Sequence, residues 1–140
     1  MERHQVSSGT PWEEWAGYSR AVRVGPFVYI SGTTAIDASG QIQHPGDLYG
    51  QTVYVLEKIE VALQSVGALR QHVVRSRVYI TQMEDCNQAI RAHKAFFDAV
   101  RPANTLVEVS QLASADMLVE IEVDAVLSDA ARLGSAAAGL

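Results

Sequence analysis

The chain has 140 residues, of which 48% are hydrophobic and 19% charged, and its formal net charge is −5. This size and composition indicate one globular domain with a real core and exclude two domains. The negative charge leaves no basic surplus for neutralising phosphates, so we expect no nucleic-acid partner. A single cysteine, Cys86, excludes an intrachain disulfide. The first residues carry no apolar signal segment and no apolar run approaches membrane-spanning length, so we expect a soluble, cytoplasmic protein with no membrane partner.

A strand hairpin is predicted near the start of the chain. Residues 19–24 and 27–31 are rich in β-branched and aromatic side chains, and Gly25-Pro26 between them is a typical turn. The preceding residues, 6–18, are polar and rich in turn formers, which predicts an irregular segment there.

A helix and a strand follow. Apolar residues recur at helical spacing between Asp47, a suitable N-cap, and Gly67, a suitable residue just beyond the last turn. Residues 72–80 then predict a strand whose apolar face carries Val74, Val78 and Ile80, while Arg75, Arg77 and Tyr79 lie on the other face.

A second amphipathic helix is predicted after this strand. Residues 81–84 have the spacing of a capping box, and the helical pattern continues until it is ended by Pro102. Cys86 and His93 lie on the apolar stripe of this helix, and we interpret both as core residues rather than as reactive groups. No other histidine or carboxylate shows metal-ligand spacing with His93, so we expect no metal site.

The last two strands carry much of the acidic charge. Residues 101–109 and 117–126 alternate apolar and polar side chains, and the short segment 110–116 between them fits a hairpin loop. This predicts an antiparallel pair with one apolar face. The opposite face is solvated, paired with arginines or used for chemistry, and carries Asn104, Leu106, Glu108, Glu120, Glu122 and Asp124.

The element order is therefore β-β-α-β-α-β-β, which predicts an α+β fold with both helices on one face of the sheet. The other face remains free of helices, and such a sheet suits an oligomer that closes its sheets into a barrel. We expect residues 1–128 to form a single domain. Residues 129–140 are rich in alanine, glycine and serine and form a C-terminal tail that is either disordered or a frayed helix.

The chain resembles the Rid/YjgF family of reactive-intermediate deaminases over about residues 6–126. Four stretches carry the resemblance: Tyr18, the strand 25–32 that ends in Ser-Gly, the segment 101–109 with the sequence Arg-Pro-Ala-Asn-Thr-Leu-Val-Glu-Val, and the Val-Glu-Ile-Glu run at 119–122. The resemblance implies a chorismate-mutase-like fold and a barrel-like homotrimer. It also implies a cofactor-free protein that binds a small-molecule metabolite in clefts between subunits.

The resemblance also implies roles for particular residues. Glu120 matches a glutamate that holds or activates water, with help from a backbone carbonyl that matches Leu106. Tyr18 and the Ser31-Gly32 turn match residues that line the same cleft. These assignments predict Glu120 as the catalytic residue and the others as substrate-binding residues.

One position departs from the family pattern. Asn104 stands where the deaminases of the family have an arginine that clamps the substrate carboxylate, and an amide cannot reproduce the charged planar fork of a guanidinium. Asn104 is therefore either a ligand donor or only a residue at the start of a strand. Arg91 and Arg101 are the candidates to replace the missing cation, although a solvated surface role also accounts for each.

Two functional classes remain open. The first is an enzyme that deaminates a small enamine or imine by adding water, with Glu120 as the general base and with a substrate other than a simple 2-aminoacrylate-type carboxylate. The alternative is a non-catalytic trimer that binds a small metabolite and has a regulatory role. Glu120 also has a structural interpretation, because a carboxylate on a charged strand face is commonly solvated or paired with arginine.

Overall fold

The computed structural model describes residues 1–127, and every structural statement below concerns this range. The predicted tail, residues 129–140, lies outside the described residues. Within them, no helix is long and apolar enough to cross a membrane. The elements in chain order are β1 (Arg3–Val6), α1 (Pro11–Ala16), β2 (Ala21–Val24), β3 (Phe27–Thr33), α2 (Leu48–Ser65), β4 (Val73–Ile80), α3 (Cys86–Phe97), β5 (Ala103–Glu108) and β6 (Val119–Val126), with short 3₁₀ turns at Arg70–His72 and Met83–Asp85.

The architecture is α+β, as expected, with a mixed six-stranded sheet in the order β1-β2-β3-β6-β4-β5. The predicted hairpin of β2 and β3 is present and antiparallel. The predicted hairpin of β5 and β6 is wrong: β6 lies between β3 and β4, antiparallel to both, and β5 pairs in parallel with β4 at the sheet edge.

Apolar burial explains why β6 takes the central position. Val119, Ile121, Val123 and Ala125 are at most 2% exposed, so the face predicted to be apolar lies in the core. The less apolar β5 remains at the edge, where most of its residues are exposed. The loop length that fits a hairpin also allows the chain to pass the end of β4, so loop length alone did not determine the pairing.

The register of β5 reverses the predicted faces of that strand. Leu106 lies beside buried Val78, and Asn104 lies beside buried Ser76. Because residues side by side in neighbouring strands point to the same face, Asn104 and Leu106 lie on the helix-covered side of the sheet. They therefore do not share the acidic face with Glu120.

Helices α2 and α3 both contribute to the core on one face of the sheet. As predicted, Asp47 caps α2, accepting a hydrogen bond of 3.0 Å from the Gly50 amide, and Gly67 follows its end with a φ of 82°. The predicted capping box before α3 is not formed, because a 3₁₀ turn precedes the helix and no side chain caps it.

Two elements and one strand face differ from expectation. Strand β1 lies before and helix α1 within the segment predicted to be irregular, so residues 1–127 form three α-helices where two were predicted. In β4, a register shift between Val73 and Arg75 turns Val73 into the core and leaves Val74 48% exposed. Val74 therefore does not belong to the apolar face.

Candidate functional site

A cavity of about 900 Å³ lies among the segment before β2, the end of β3, the start of β6 and one side of α2. Four of the six predicted site residues line it, namely Tyr18, Ser31, Gly32 and Glu120. Much of the remaining wall is apolar or aromatic, and such a wall with a few polar groups is typical of ligand sites. Further lining residues include Trp12, Arg20, Ile36, Tyr54, Lys58, Val61 and Met117.

A bulge in β3 shapes the polar end of the cavity. Ile30 pairs with Val123 and Thr33 pairs with Ile121, so two residues of β3, Ser31 and Gly32, stand opposite one residue of β6. A Cβ atom on Gly32 would lie 3.0 Å from Cδ of Glu120 and 3.4 Å from its Cγ. A side chain at this position would therefore have to displace the Glu120 carboxylate, whereas the backbone angles of Gly32 do not call for glycine.

Glu120 is a partly buried carboxylate at this bulge. Burial raises its pKa, the Arg20 guanidinium opposes that rise, and the Glu122 carboxylate adds to it. The net direction is upward, and burial is its main cause. A carboxylate of this kind can bind water and exchange a proton nearer neutral pH than an exposed glutamate.

The neighbouring acids of β6 are engaged by other side chains. The Tyr79 hydroxyl donates a hydrogen bond to Glu122, and this bond is the main reason that the pKa of Tyr79 is raised. Arg77 forms an ion pair of 3.3 Å with Asp124, so one of the predicted arginine partners of this face is present.

A buried ion pair links Arg20, which lines the cavity, to Glu13 behind it. Arg20 is 14% exposed at its side chain and Glu13 3%, and Arg20 Nε lies 3.6 Å from Glu13 Oε2. Burial pushes the pKa of Glu13 upward, but hydrogen bonds from Ser8, Ser7 and Thr10 outweigh it and hold the pKa below its usual value. Glu13 therefore stays ionised and fixes the loop before α1.

Arg20 also holds the β3 bulge in place. Its Nη1 donates to the Gly32 carbonyl at 2.8 Å and to the Thr33 hydroxyl at 2.9 Å. The Ser31 hydroxyl donates to the Ser19 carbonyl at 2.6 Å, which leaves its oxygen free to accept a hydrogen bond. The Tyr18 ring is 40% exposed, and its centre lies 5.7 Å from the Arg20 guanidinium carbon.

Lys58 of α2 is a second cation in the cavity wall. Its Nζ donates hydrogen bonds of 2.8 Å to the carbonyls of Thr34 and Ile36, which ties the loop after β3 to the helix. The pKa of Lys58 is lowered to about 8, mainly by burial and also by the nearby Arg20, while Asp37 and Glu13 oppose this shift. The ammonium is thus easier to deprotonate than that of an exposed lysine.

The other two predicted site residues lie elsewhere in the protomer. Asn104 lines a separate cavity of about 310 Å³, together with His93 and Arg101. The Ser76 hydroxyl donates a bond of 2.8 Å to Asn104 Oδ1 and lies 2.8 Å from His93 Nε2. Leu106 packs against the core. The protomer therefore does not bring Asn104 or Leu106 together with Glu120.

Neither predicted replacement for the missing cation lines the cavity of Glu120. Arg101 donates to Asp98 Oδ1 at 2.9 Å and is 76% exposed at its side chain, while Arg91 lies over the Tyr49 ring at 5.2 Å. His93 and Cys86 of α3 agree with their interpretation as core residues, because burial lowers the pKa of His93 and Cys86 packs against the core. Among residues 1–127, no three histidine, cysteine or acidic side chains form a group that could hold a metal ion.

The sequence contains signals for the polar residues that the prediction missed. Thr10-Pro11 before two glutamates is a typical helix start, which would have identified α1 and its buried Glu13. Lys58 stands three residues after Val55 and four before Ala62, both buried, so helical spacing places it beside the core face. For Arg20 we see only the alternation of strand β2, which does not distinguish a buried arginine from an exposed one.

The fold and the cavity together define a small α+β protein with a candidate site, largely apolar in its wall, at a glycine bulge and a partly buried glutamate. The sequence model of the family described as Endoribonuclease L-PSP matches residues 11–127. The chain belongs to this family, which is also known as the Rid/YjgF family.

Individual relatives agree with this assignment. A solved structure of a YjgF/YER057c/UK114 family member from Mycobacterium tuberculosis has 40% identity and a TM-score of 0.82, with 89% of this chain and 99% of that one covered. The 3-aminoacrylate deaminase RutC of Acinetobacter baylyi is 31% identical over 83% of this chain and 90% of its own length. The structure of E. coli TdcF with bound serine has 26% identity and a TM-score of 0.74, covering 89% and 94% of the two chains.

Proposed function

We propose that the chain hydrolyses a small enamine or imine, releasing a carbonyl compound and ammonia, with Glu120 as the general base. The observation that carries this proposal is the position of Glu120, a partly buried carboxylate of raised pKa beside an accessible cavity. The similarity of the chain to the 3-aminoacrylate deaminase RutC supports the same reaction class.

The reaction needs one water molecule and one proton shuttle. Glu120 removes a proton from water while the water oxygen bonds to the carbon of the protonated C=N group, giving a neutral tetrahedral aminoalcohol. Glu120 then returns this proton to nitrogen, the C–N bond breaks as ammonia leaves, and the carboxylate accepts the proton of the hydroxyl group, which becomes the carbonyl. General acid–base assistance of this kind contributes about 10²–10⁴-fold.

The substrate in this proposal is not a simple 2-aminoacrylate-type carboxylate held at position 104. The Asn104 amide carries no charge, and its oxygen is already bonded to Ser76 on the helix-covered side of the sheet. A carboxylate placed beside it would meet no charge-assisted fork of donors. The sequence position that clamps the substrate in related deaminases therefore has a different use in this chain.

We further propose that three copies assemble into a homotrimer with clefts between subunits. Asn104 and Leu106 lie on the edge strand β5, so they reach a cavity like that of Glu120 only when a neighbouring subunit supplies them. The helix-free sheet face exposes Phe27 by 43% and Tyr29 by 49%, an apolar area suited to burial. Light scattering that gives a monomer mass at micromolar concentration would refute the trimer and its clefts.

Ammonia release from freshly generated imines tests the enzymatic proposal. Glu120→Gln keeps the size of the side chain but removes the base, so we expect turnover to fall about 10²–10⁴-fold with the fold and oligomer intact. Asp124→Asn is the matched control, since it removes a carboxylate from the same strand that pairs with Arg77 instead of lining the cavity. Undiminished activity of Glu120→Gln would exclude Glu120 as the base.

The second candidate function is a non-catalytic trimer that binds a small metabolite. The specific observation that favours it is the engagement of Asn104 with Ser76, which leaves the position without a charged donor for a substrate acid. In that case the parent protein releases no ammonia from any imine tested, and Glu120→Gln changes only the affinity for a ligand.

A further inference from the structure

Arg20 borders the same cavity as Glu120 and contacts the bulge against which Glu120 lies. Among residues 1–127, Arg20 forms an ion pair with Glu13 but none with Glu120, so no Arg20 nitrogen lies within 4.0 Å of a Glu120 carboxylate oxygen. A guanidinium and a carboxylate therefore face one cavity with a gap between them. A small molecule with an acidic group at one end and a C=N group at the other matches this separation of charge.

One edge of the Arg20 guanidinium is available to such a molecule. Nη1 is occupied by the Gly32 carbonyl and the Thr33 hydroxyl, and Nε faces Glu13. Nη2 makes no hydrogen bond to any of residues 1–127, and no fully buried side-chain nitrogen in that range lacks a partner. Nη2 is therefore not fully buried, although the Arg20 side chain as a whole is only 14% exposed, and its two N–H donors are unused within the described protein.

The other cations of the protomer are less suited to this role. Lys58 Nζ is already bonded to two backbone carbonyls, and Arg91 and Arg101 do not line the cavity. Arg20 is also fixed in place by its own contacts, so binding an anion costs little further ordering of the side chain.

We propose that Arg20 binds the acidic group of the substrate through Nη2 and so replaces the arginine that is absent at position 104. This inference rests on the proposed function and specifies its substrate as an anionic imine or enamine whose acid is bound within the cavity of a single protomer and not, as for a simple 2-aminoacrylate-type carboxylate in the family pattern, at position 104. The acid then approaches Glu120 from the Arg20 side instead of from β5.

The test compares two probes of nearly the same shape, pyruvate and its neutral amide, which differ in charge and in one acceptor oxygen replaced by an NH2 donor, and measures their affinities by NMR titration. We expect the parent protein to bind pyruvate more tightly than pyruvamide, and Arg20→Lys, which lacks the fork, to lose about ten- to hundredfold in affinity for pyruvate alone. Arg23→Gln is the matched control, because Arg23 lies on β2 three residues after Arg20 and is part-buried, but bonds the carbonyls of Gly25 and Val66 away from the cavity. Its affinities should equal those of the parent.

A second measurement does not depend on a folded variant. Pyruvate, but not pyruvamide, should shift the Nε–H resonance of Arg20 in the unmodified protein. Equal affinity of the parent for both probes, or an equal loss for both probes in Arg20→Lys, would overturn the inference and leave Arg20 as a structural support of the bulge. These experiments measure binding, so their outcome is independent of ammonia release. If the protein prefers pyruvate through Arg20 but hydrolyses no imine, the proposed enzymatic function is refuted while the proposed role of Arg20 in binding an acid is supported.

Discussion

Ser76 donates a hydrogen bond of 2.8 Å to the side-chain oxygen of Asn104, and this contact holds the amide on the helix-covered side of the sheet. Ser76 itself is fully buried and also lies 2.8 Å from His93 Nε2. A hydroxyl that donates to Asn104 must accept from histidine, which fixes His93 as the tautomer with its proton on Nε2. Asn104 is thus the end of a polar chain that connects α3, β4 and β5.

Asn104→Arg should introduce a charged fork at the edge of β5. If a neighbouring subunit places this edge against the cavity, hydrolysis of 2-aminoacrylate-type imines should rise at least about tenfold. The reason is that losing a charge-assisted contact from a buried site costs roughly 2–5 kcal/mol, so gaining one should have a large effect. Ammonia release under first-order conditions measures the change. Thr105→Arg is the control, because its side chain points to the opposite face; an equal rise in both variants would show that added charge, not placement, is responsible.

Gly32→Ala should disturb Glu120 without straining the backbone. The new Cβ would lie 3.0 Å from Cδ of Glu120, closer than ordinary van der Waals contact, so the carboxylate must move. We expect turnover to fall by about tenfold or more, as misplacement of a catalytic group typically does. The same substitution made in Glu120→Gln should cause much less additional loss, and fully additive effects of the two changes would contradict the contact.

The sequence predicted most elements but not how they pair. Alternation and helical spacing were sufficient for β2, β3, α2, β4 and α3, because each pattern depends on neighbours along the chain. The central position of β6 depends instead on which strand buries the most apolar surface, and this is a property of the whole sheet.

The residues of the candidate site also fall into those that the sequence predicted and those that depend on how the strands pair. Tyr18, Ser31, Gly32 and Glu120 were predicted by resemblance and share one cavity. The faces of Asn104 and Leu106 were predicted wrongly because they follow from the pairing of β5. Arg20 and Glu13 were missed because a buried ion pair joins two segments whose proximity is created only by the fold.

Glu13→Gln should change the acid stability of the protein. The pKa of Glu13 is lowered in the folded state, so its contribution to stability is present above the unfolded pKa of about 4.5 and is lost as pH falls through the folded pKa. Removing one member of a buried pair costs about 3–5 kcal/mol. Denaturant unfolding should therefore show a large loss near pH 7 that shrinks on acidification below pH 4.5; a loss independent of pH would indicate that the charge of Glu13 has no part in it.

The last prediction concerns Lys58, whose pKa is lowered from 10.5 to about 8 mainly by burial. The chain contains two lysines, Lys58 and Lys94, so the ¹³Cε signals of the labelled protein are simple to assign with Lys58→Met. The Lys94 side chain is 66% exposed and provides the reference signal in the same spectrum. We expect the Lys58 signal to titrate with a midpoint near pH 8.

The sign of the stability effect follows from the same shift. Between about pH 8 and 10.5 the unfolded chain binds more protons at Lys58 than the folded protein does, so this residue contributes increasing stability as pH rises through that window. The parent should therefore gain stability relative to Lys58→Met between pH 7 and pH 10. Deprotonation leaves one fewer N–H donor, but two donors suffice for the carbonyls of Thr34 and Ile36, so the loop after β3 should stay in place. A Lys58 midpoint near the ordinary lysine value of 10.5, or a stability difference that does not change with pH, would show that the Lys58 ammonium is solvated and that the cavity wall is open at this point.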